Sequence, residues 1–275
     1  LKTRVITAIL ALIPFLWVFL KGDALTISLF FAILVAISAF ELASMIFPGL
    51  YKRLGNNTQS PFWLTIITIL LSVTLYSLMV FLSPPAIIYV GLILLFAILF
   101  GVFSAGSTDL SFAHAAGLVT AVVYSAFPWI AIQALYQKGG DARYIFLLCA
   151  IVWFGDTGAY FAGRSLGKHK LAPRMSPNKT WEGAIGGIFA SILGASLIAN
   201  WYGEGFLSWP LVIAAAIFGG IFGQLGDLTE STFKRFAEVK DSGKIFPGHG
   251  GFLDRVDGLL FAAPVIWFIL FQFGS

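Results

Sequence analysis

FWLTIITILLSVTLYSLMVFL, residues 62–82, is the stretch that decides the fold, because it contains no charged residue. About 20 consecutive apolar residues let a helix cross the hydrocarbon core of a bilayer. Eight further runs approach that length: 4–20, 25–47, 86–105, 115–136, 144–163, 184–201, 209–228 and 256–273. The sequence therefore predicts an all-α, polytopic integral membrane protein with about nine transmembrane helices.

The composition of the whole chain agrees with this fold class. Of its 275 residues, 59% are hydrophobic and 11% are charged, whereas a soluble domain carries about 25% charged residues. The single cysteine, Cys149, lies in an apolar run and excludes an internal disulfide. The net charge is +4. The distribution of charged residues along the chain is more informative than the net charge. We expect no nucleic-acid partner.

The basic residues are concentrated on one side of a nine-span chain. Fourteen of the seventeen Lys and Arg fall there: Lys2, Arg4, Lys52, Arg53, Arg164, Lys168, Lys170, Arg174, Lys179, Lys234, Arg235, Lys240, Lys244 and Arg255. The other side holds Lys21, Lys138 and Arg143. Cytoplasmic loops carry the excess of Lys and Arg. We therefore expect a protein of the inner (cytoplasmic) membrane whose N-terminus and two long polar loops face the cytoplasm.

Charged residues also divide the chain along its length. Nine of the thirteen acids and ten of the seventeen basic residues follow residue 143. We therefore expect residues 1–143 to form a transmembrane scaffold. Residues 144–275 would form the catalytic part, with two polar cytoplasmic loops. This division is functional and does not imply two separately folding domains.

The strongest functional signal is GDLTESTFKRFAEVKDSGKIFPGHGGFLDRVDG, residues 226–258. Asp254 and Asp257 are one helical turn apart at the start of the last span, and Asp227 ends another span. Carboxylates placed in this way can converge on Mg²⁺, which prefers oxygen ligands. A solvated inter-helix loop is the alternative, but it does not explain the density of glycines. The sequence predicts a magnesium site at these three aspartates and leaves a second metal open.

Two further patterns occur in the same segment. Asp227, Glu230, Ser231 and Lys234 have the spacing of one helix face. Residues 247–251, PGHGG, predict a turn whose free N–H groups can cradle phosphate oxygens.

Asp156, in the sixth run, is a second candidate. An ionisable group at membrane depth is costly and suggests a functional site; a hydrogen bond between helices is the alternative. The loop that follows, RMSPNKTWEG (residues 174–183), carries basic and hydroxyl groups that suit phosphates, although it could be only a positive-inside anchor. Ser176-Pro177 also resembles a helix N-cap followed by proline.

Other features favour packing over chemistry. His114 and His169 are isolated in the sequence and are not predicted to bind a metal. The pairs Gly183/Gly187 and Gly219/Gly223 have GxxxG spacing, which predicts close helix packing.

Together these residues resemble the signature of the phosphatidate cytidylyltransferase (CDP-diacylglycerol synthase) family. The matching positions are Ser231, Lys234-Arg235, Lys240-Asp241, His249-Gly250-Gly251 and Asp254-Arg255-Val256-Asp257. Ser176–Gly183 and Gly155-Asp156 are also similar to the family. The resemblance covers about the last 130 residues, and the first 140 match only as generic apolar spans.

The resemblance implies a transferase of phospholipid biosynthesis that moves a cytidylyl group from CTP to phosphatidate with Mg²⁺, releasing pyrophosphate. It implies these catalytic residues: Asp227, Lys234, Arg235, His249, Asp254 and Asp257. The implied substrate-binding residues are Ser176, Asn178, Lys179, Ser231, Lys240, Lys244, Gly250, Gly251 and Arg255. The metal ligands would be Asp227, Asp254 and Asp257, with Asp156 as a further candidate. The expected partners are CTP, phosphatidate and the bilayer, and a homo-oligomer is left open.

Two other functions are the alternatives. A CDP-alcohol phosphotransferase also has an Asp-rich motif, but residues 259–262, LLFA, lack the Ala-Arg that should follow, and the later aspartates are absent. An ion-coupled transporter could use Asp156 and Asp227. It does not need a long Lys/Arg/Gly loop, and we find no repeated half.

Overall fold

The computed structural model describes residues 14, 17–19, 21–55, 59–82, 86–246 and 250–274. Within these ranges the chain forms eight long helices and one two-stranded hairpin. The elements in chain order are α1 (Ala24–Arg53), α2 (Phe62–Phe81), α3 (Ala86–Phe103), α4 (Thr108–Gly139), α5 (Arg143–Leu166), β1 (Lys170–Ala172), β2 (Ser176–Thr180), α6 (Trp181–Tyr202), α7 (Trp209–Phe236) and α8 (Leu253–Phe273).

The helices confirm the predicted fold class. Seven of the described helices are long and apolar enough to cross a membrane, and α3 is a shorter apolar helix. Each of these eight helices coincides with one of the eight predicted runs from 25–47 to 256–273. Most of the run 4–20 lies outside the described residues, so the total of nine spans stays a prediction.

The outer surfaces of these helices carry large apolar side chains. Phe103 and Trp201 are each 84% exposed, and Phe112 is 75% exposed. A water-facing surface rarely carries so many large apolar groups in contiguous patches. The exposure therefore fits helices whose outer faces contact lipid.

The chain divides into two compact units. The first comprises Leu1–Gln133 and Phe233–Asp254, and the second comprises Ala134–Thr232 and Arg255–Ser275. The structural boundary therefore lies near the predicted functional division at residue 143. However, much of the polar segment after α7 groups with the N-terminal helices. The functional division itself stays a prediction.

The first unit has an apolar core to which α1, α2, α3 and α4 all contribute. Phe47, Leu64, Ala97 and Leu118 are at most 1% exposed and form one cluster. Each comes from a different helix. This core fixes the first four described helices to one another.

The second unit is held by close contact between α5 and α6. A Cβ atom added at Gly187 would lie 2.9 Å from the carbonyl oxygen of Gly155, and one at Gly186 would overlap Ala162. Small residues let helix backbones approach closely in membranes. The prediction that Gly183/Gly187 serves packing is thus confirmed.

Candidate active site

The polar loop between α5 and α6 is a hairpin. β1 and β2 pair antiparallel, with Lys170 opposite Thr180 and Ala172 opposite Ser176. The interpretation of Ser176-Pro177 as the start of a helix was wrong, because both residues lie in β2. Thr180 is the N-cap instead, and its Oγ1 accepts a hydrogen bond from Gly183 N at 3.1 Å.

The residues that precede β1 are tied to the first turn of α6. The Glu182 carboxylate accepts hydrogen bonds from the backbone N–H groups of Lys168 (3.1 Å) and His169 (3.2 Å). His169 Nδ1 also lies 2.6 Å from Glu182 Oε1. The start of helix α6 therefore holds both strands. These contacts fix the position of β2 and of its side chains.

Within the second unit, the hairpin forms one wall of a cleft of about 490 Å³. Its walls come from α5, the hairpin, α6 and α7. The lining residues are Asp156, Ala159, Tyr160, Gly163, Arg164, Leu171, Asn178, Lys179, Thr180, Gly183, Ala184, Gln224 and Asp227. Four predicted site residues, Asp156, Asn178, Lys179 and Asp227, thus meet in one cavity although three separate elements supply them.

An ion pair lies in this cleft. Lys179 Nζ is 2.6 Å from Asp227 Oδ2, and the side chains are 25% and 37% exposed respectively. Ser231 Oγ donates to the other oxygen, Asp227 Oδ1, at 3.3 Å. The pair is therefore accessible to a ligand. The Lys179 ammonium can contact an anion while it keeps its ion pair with Asp227.

Three of the predicted acids share the second unit. Asp156 interacts electrostatically with both Asp227 and Asp257. A Cβ atom at Gly226 would overlap the carbonyl oxygen of Asp257, so α7 and α8 approach closely where these acids occur. Asp257 Oδ1 accepts a hydrogen bond from Gly258 N at 2.8 Å. Acids of three helices therefore lie near one another within the second unit.

This gathering is not a preassembled metal centre. Among the residues that the structure describes, no group of three or more His, Cys, Asp or Glu is placed to hold a metal ion. The donor chemistry of Asp156, Asp227 and Asp257 suits Mg²⁺, which takes carboxylate oxygens together with water and substrate phosphates. Which acids bind metal remains a prediction.

The first unit holds a second group of predicted residues. Lys234 Nζ donates to Asp254 Oδ1 at 2.6 Å, and the two side chains are 16% and 8% exposed. Asp254 Oδ2 accepts from the N–H groups of Ser242 and Gly251, both at 2.8 Å. Both oxygens of Asp254 are therefore engaged with the chain itself, an arrangement that suits an organising residue.

The remaining predicted residues differ in exposure. Arg235, Lys240, Lys244 and Arg255 are exposed, and Ser176 is half-buried. Gly250 has a φ of 86°, which favours glycine, and it forms a bridge with Phe246. His249 lies outside the described residues, as do Pro247 and Gly248, so the predicted phosphate turn is untested.

The sequence reasoning missed two polar residues that the structure brings to these groups. Gln224 lines the cleft, and its Nε2 donates to the carbonyl oxygen of Ala184 at 3.0 Å. Glu41 of α1 contacts the segment that precedes α8. Both interrupt apolar runs, and this interruption was the available signal.

Comparison with known proteins gives the family. The model of the cytidylyltransferase family matches residues 2–273. The chain belongs to the cytidylyltransferase family. The match includes the N-terminal helices, so the expectation that the first 140 residues match only as generic apolar spans was wrong.

Curated relatives cover the chain along its full length. A phosphatidate cytidylyltransferase of Staphylococcus saprophyticus is 38% identical over 280 residues, covering 99% of this chain and 100% of the relative. Proteins of the same name from Staphylococcus epidermidis and Staphylococcus aureus are 38% and 37% identical, with the same coverage. The family predicted from the signature residues is therefore confirmed.

Proposed function

We propose that this chain transfers a cytidylyl group from CTP to phosphatidate, forming CDP-diacylglycerol and pyrophosphate. The observation that carries the proposal is the full-length similarity to proteins named phosphatidate cytidylyltransferase. The cleft supports it, since cationic and acidic side chains meet there between the hairpin and helices α5, α6 and α7. A lipid headgroup and a soluble nucleotide can both reach such a position.

The chemistry requires two anions to approach each other. A phosphomonoester has a second pKa near ~6, so phosphatidate is largely ionised at neutral pH and needs no strong base. Lys179 and Arg164 would bind phosphate oxygens in the cleft, and Asn178 would donate a hydrogen bond. These residues act by orienting the phosphates and neutralising their charge. Lys234, which Asp254 holds in the first unit, would make its own charge-assisted contact with a phosphate oxygen.

Mg²⁺ is part of the proposal. Asp227 and Asp257 would hold it, with Asp156 beside them, because these acids interact in the second unit and offer hard oxygen donors. When bound, Mg²⁺ neutralises charge on the CTP phosphates. Asp254 was predicted as a third ligand; its engaged oxygens favour the role of organising Lys234 and the adjoining loop. A second metal stays open.

We also propose that the protein resides in the cytoplasmic membrane with this site facing the cytoplasm. The helix ends that carry Lys52, Arg164 and Lys234 are on one side if successive helices cross in alternation. That side holds most of the Lys and Arg residues, as the positive-inside rule requires.

The direct test uses purified protein reconstituted with phosphatidate, CTP labelled at the α-phosphate, and Mg²⁺. We expect label in a CDP-lipid and stoichiometric pyrophosphate, and neither product without CTP. If the protein instead consumed added CDP-diacylglycerol and an alcohol, it would be a CDP-alcohol phosphotransferase. If it made no nucleotide-dependent product but moved ions across vesicles, it would be a transporter.

A further inference from the structure

Glu41 is a buried carboxylate in the middle of apolar helix α1. It is 1% exposed. Its Oε1 accepts a hydrogen bond from Phe252 N, and its Oε2 accepts one from Leu253 N, both at 2.9 Å. The first N–H groups of a helix have no partner within the helix. Glu41 satisfies two such groups and ties the start of α8 to α1.

The same carboxylate is linked to the predicted catalytic pair through one hydroxyl. Ser242 Oγ lies 3.0 Å from Glu41 Oε2 and 3.0 Å from Asp254 Oδ2. Asp254 in turn accepts from Lys234. A continuous polar path therefore runs from α1 to the Lys234 ammonium, entirely within the first unit.

Two glycines make room for this path. A Cβ atom at Gly243 would overlap Glu41 Oε1, and one at Gly251 would lie 2.7 Å from Glu41 Oε2. The loop backbone must therefore approach the carboxylate closely. Gly251 belongs to the family signature, so this contact gives that glycine a physical reason beyond phosphate binding.

We propose that Glu41 is a positioning residue for cytidylyl transfer. It holds Ser242 and the start of α8, and through them it fixes Asp254 and the ammonium of Lys234. The inference rests on the proposed function. A displaced cation lowers the rate of a reaction that depends on orientation and charge neutralisation, even when the protein remains folded.

The test compares Glu41→Gln with Ser38→Ala. Gln keeps the size of Glu, but its amide nitrogen cannot accept a hydrogen bond from a backbone N–H. Ser38 lies one turn earlier on α1, is 0% exposed and accepts a hydrogen bond from Trp129 Nε1 at 3.0 Å. Trp129 stacks on Phe252, so S38A perturbs the same helix and the packing beside the loop but leaves the hydrogen bonds of Glu41 in place. Losing charge-assisted hydrogen bonds should lower kcat of E41Q at least about tenfold, with little change in KM for CTP. The kcat of S38A should fall much less, because the hydrogen bonds of Glu41 remain.

A second measurement follows the loop itself. Lys240 and Lys244 are exposed trypsin sites in this segment, and their cleavage should be several-fold faster in E41Q than in the wild type or S38A. If the wild type forms no CDP-lipid, the proposed function fails, whereas the cleavage rates still test the link between Glu41 and the loop. Unchanged kcat and cleavage in E41Q would overturn the proposal, as would an equal loss of kcat in S38A.

Ser242→Ala probes the link from the loop side and replaces E41Q if that variant does not insert. S242A should also lower kcat and speed cleavage. Where both variants insert, their effects should be less than additive in the double variant, because residues of one network are coupled. Wild-type kcat and cleavage in S242A, or full additivity, would contradict the path through Ser242.

Discussion

Asp227 and Asp254 are both aspartates of the signature segment, but their surroundings give them different tasks. Asp227 is 37% exposed in the cleft beside Lys179. Asp254 is 8% exposed and accepts hydrogen bonds from Lys234, Ser242 and Gly251. Spacing in the sequence shows both as acids near helix ends. The lysines that distinguish them, Lys179 for Asp227 and Lys234 for Asp254, come from other elements of the fold. The sequence alone therefore predicted both aspartates to be metal ligands.

Asn substitutions should separate the two roles. Asp227→Asn should lower CDP-diacylglycerol formation at least about a hundredfold, like the loss of a main electrostatic group in an active site, without a change in melting temperature. Asp254→Asn removes the carboxylate that pairs with the largely buried Lys234 ammonium, and breaking a buried pair costs about 3 kcal/mol. It should therefore lose both stability and activity. Thermal unfolding in detergent and a CTP-dependent assay measure the two effects.

The Mg²⁺ dependence of the same variants distinguishes a ligand from an organiser. A weakened ligand variant should regain activity when Mg²⁺ is raised, and this is expected for D227N only. Rescue of D254N but not of D227N by Mg²⁺ would reverse the two assignments.

Lys179 is the cation best placed to contact a phosphate in the cleft. Lys179→Ala should lower kcat/KM for CTP by about 10- to 100-fold, the range expected for a lost charged hydrogen bond. Lys170→Ala is the matched control, because Lys170 is an exposed lysine of the same hairpin that does not line the cleft. Steady-state kinetics at varied CTP measure both. Equal losses would show a general effect of net charge.

At the scale of elements, hydrophobic runs predicted the described helices well and the hairpin not at all. A run that must cross a bilayer is long and apolar, so its length and composition identify it. β1 and β2 have only three and five residues. Their structure depends on contacts of Glu182 with Lys168 and His169 rather than on a local pattern. The Ser176-Pro177 pair therefore suggested a helix start, but the N-cap of the helix lies four residues after Ser176, at Thr180.

The contact between α5 and α6 should control the stability of the second unit. Gly186→Ala places a Cβ against Ala162, and overpacking of this kind costs about 1–3 kcal/mol. Gly91→Ala in α3 is the control, since a Cβ there meets nothing within 4 Å and glycine itself disfavours helix by about 0.5–1 kcal/mol. Unfolding in detergent should show a loss in the first variant and no loss in the second. Unchanged stability of G186A would contradict a tight contact between α5 and α6 at this position.

At the scale of the whole molecule, the distribution of charge makes a prediction about orientation. If successive helices cross the membrane in alternation, the loop after α7 faces the cytoplasm and the loops before α1 and after α6 face the other side. Single-cysteine reporters at Lys244, Lys21 and Glu204 sample these three loops, and all three side chains are exposed. The native Cys149 is 5% exposed inside α5, so it should react slowly and can be replaced by Ala.

In oriented vesicles, a membrane-impermeant maleimide should label the Lys244→Cys protein only from the cytoplasmic face. The Lys21→Cys and Glu204→Cys proteins should be labelled only from the opposite face. Lys21 lies between the run 4–20 and α1, so its accessibility shows on which side of the membrane α1 begins. Labelling of Lys21→Cys and Lys244→Cys from the same face, with Glu204→Cys on the other, would require an even number of crossings between residues 21 and 244. Alternation of α1 to α7 gives an odd number, so that result would mean that one of the described helices does not cross.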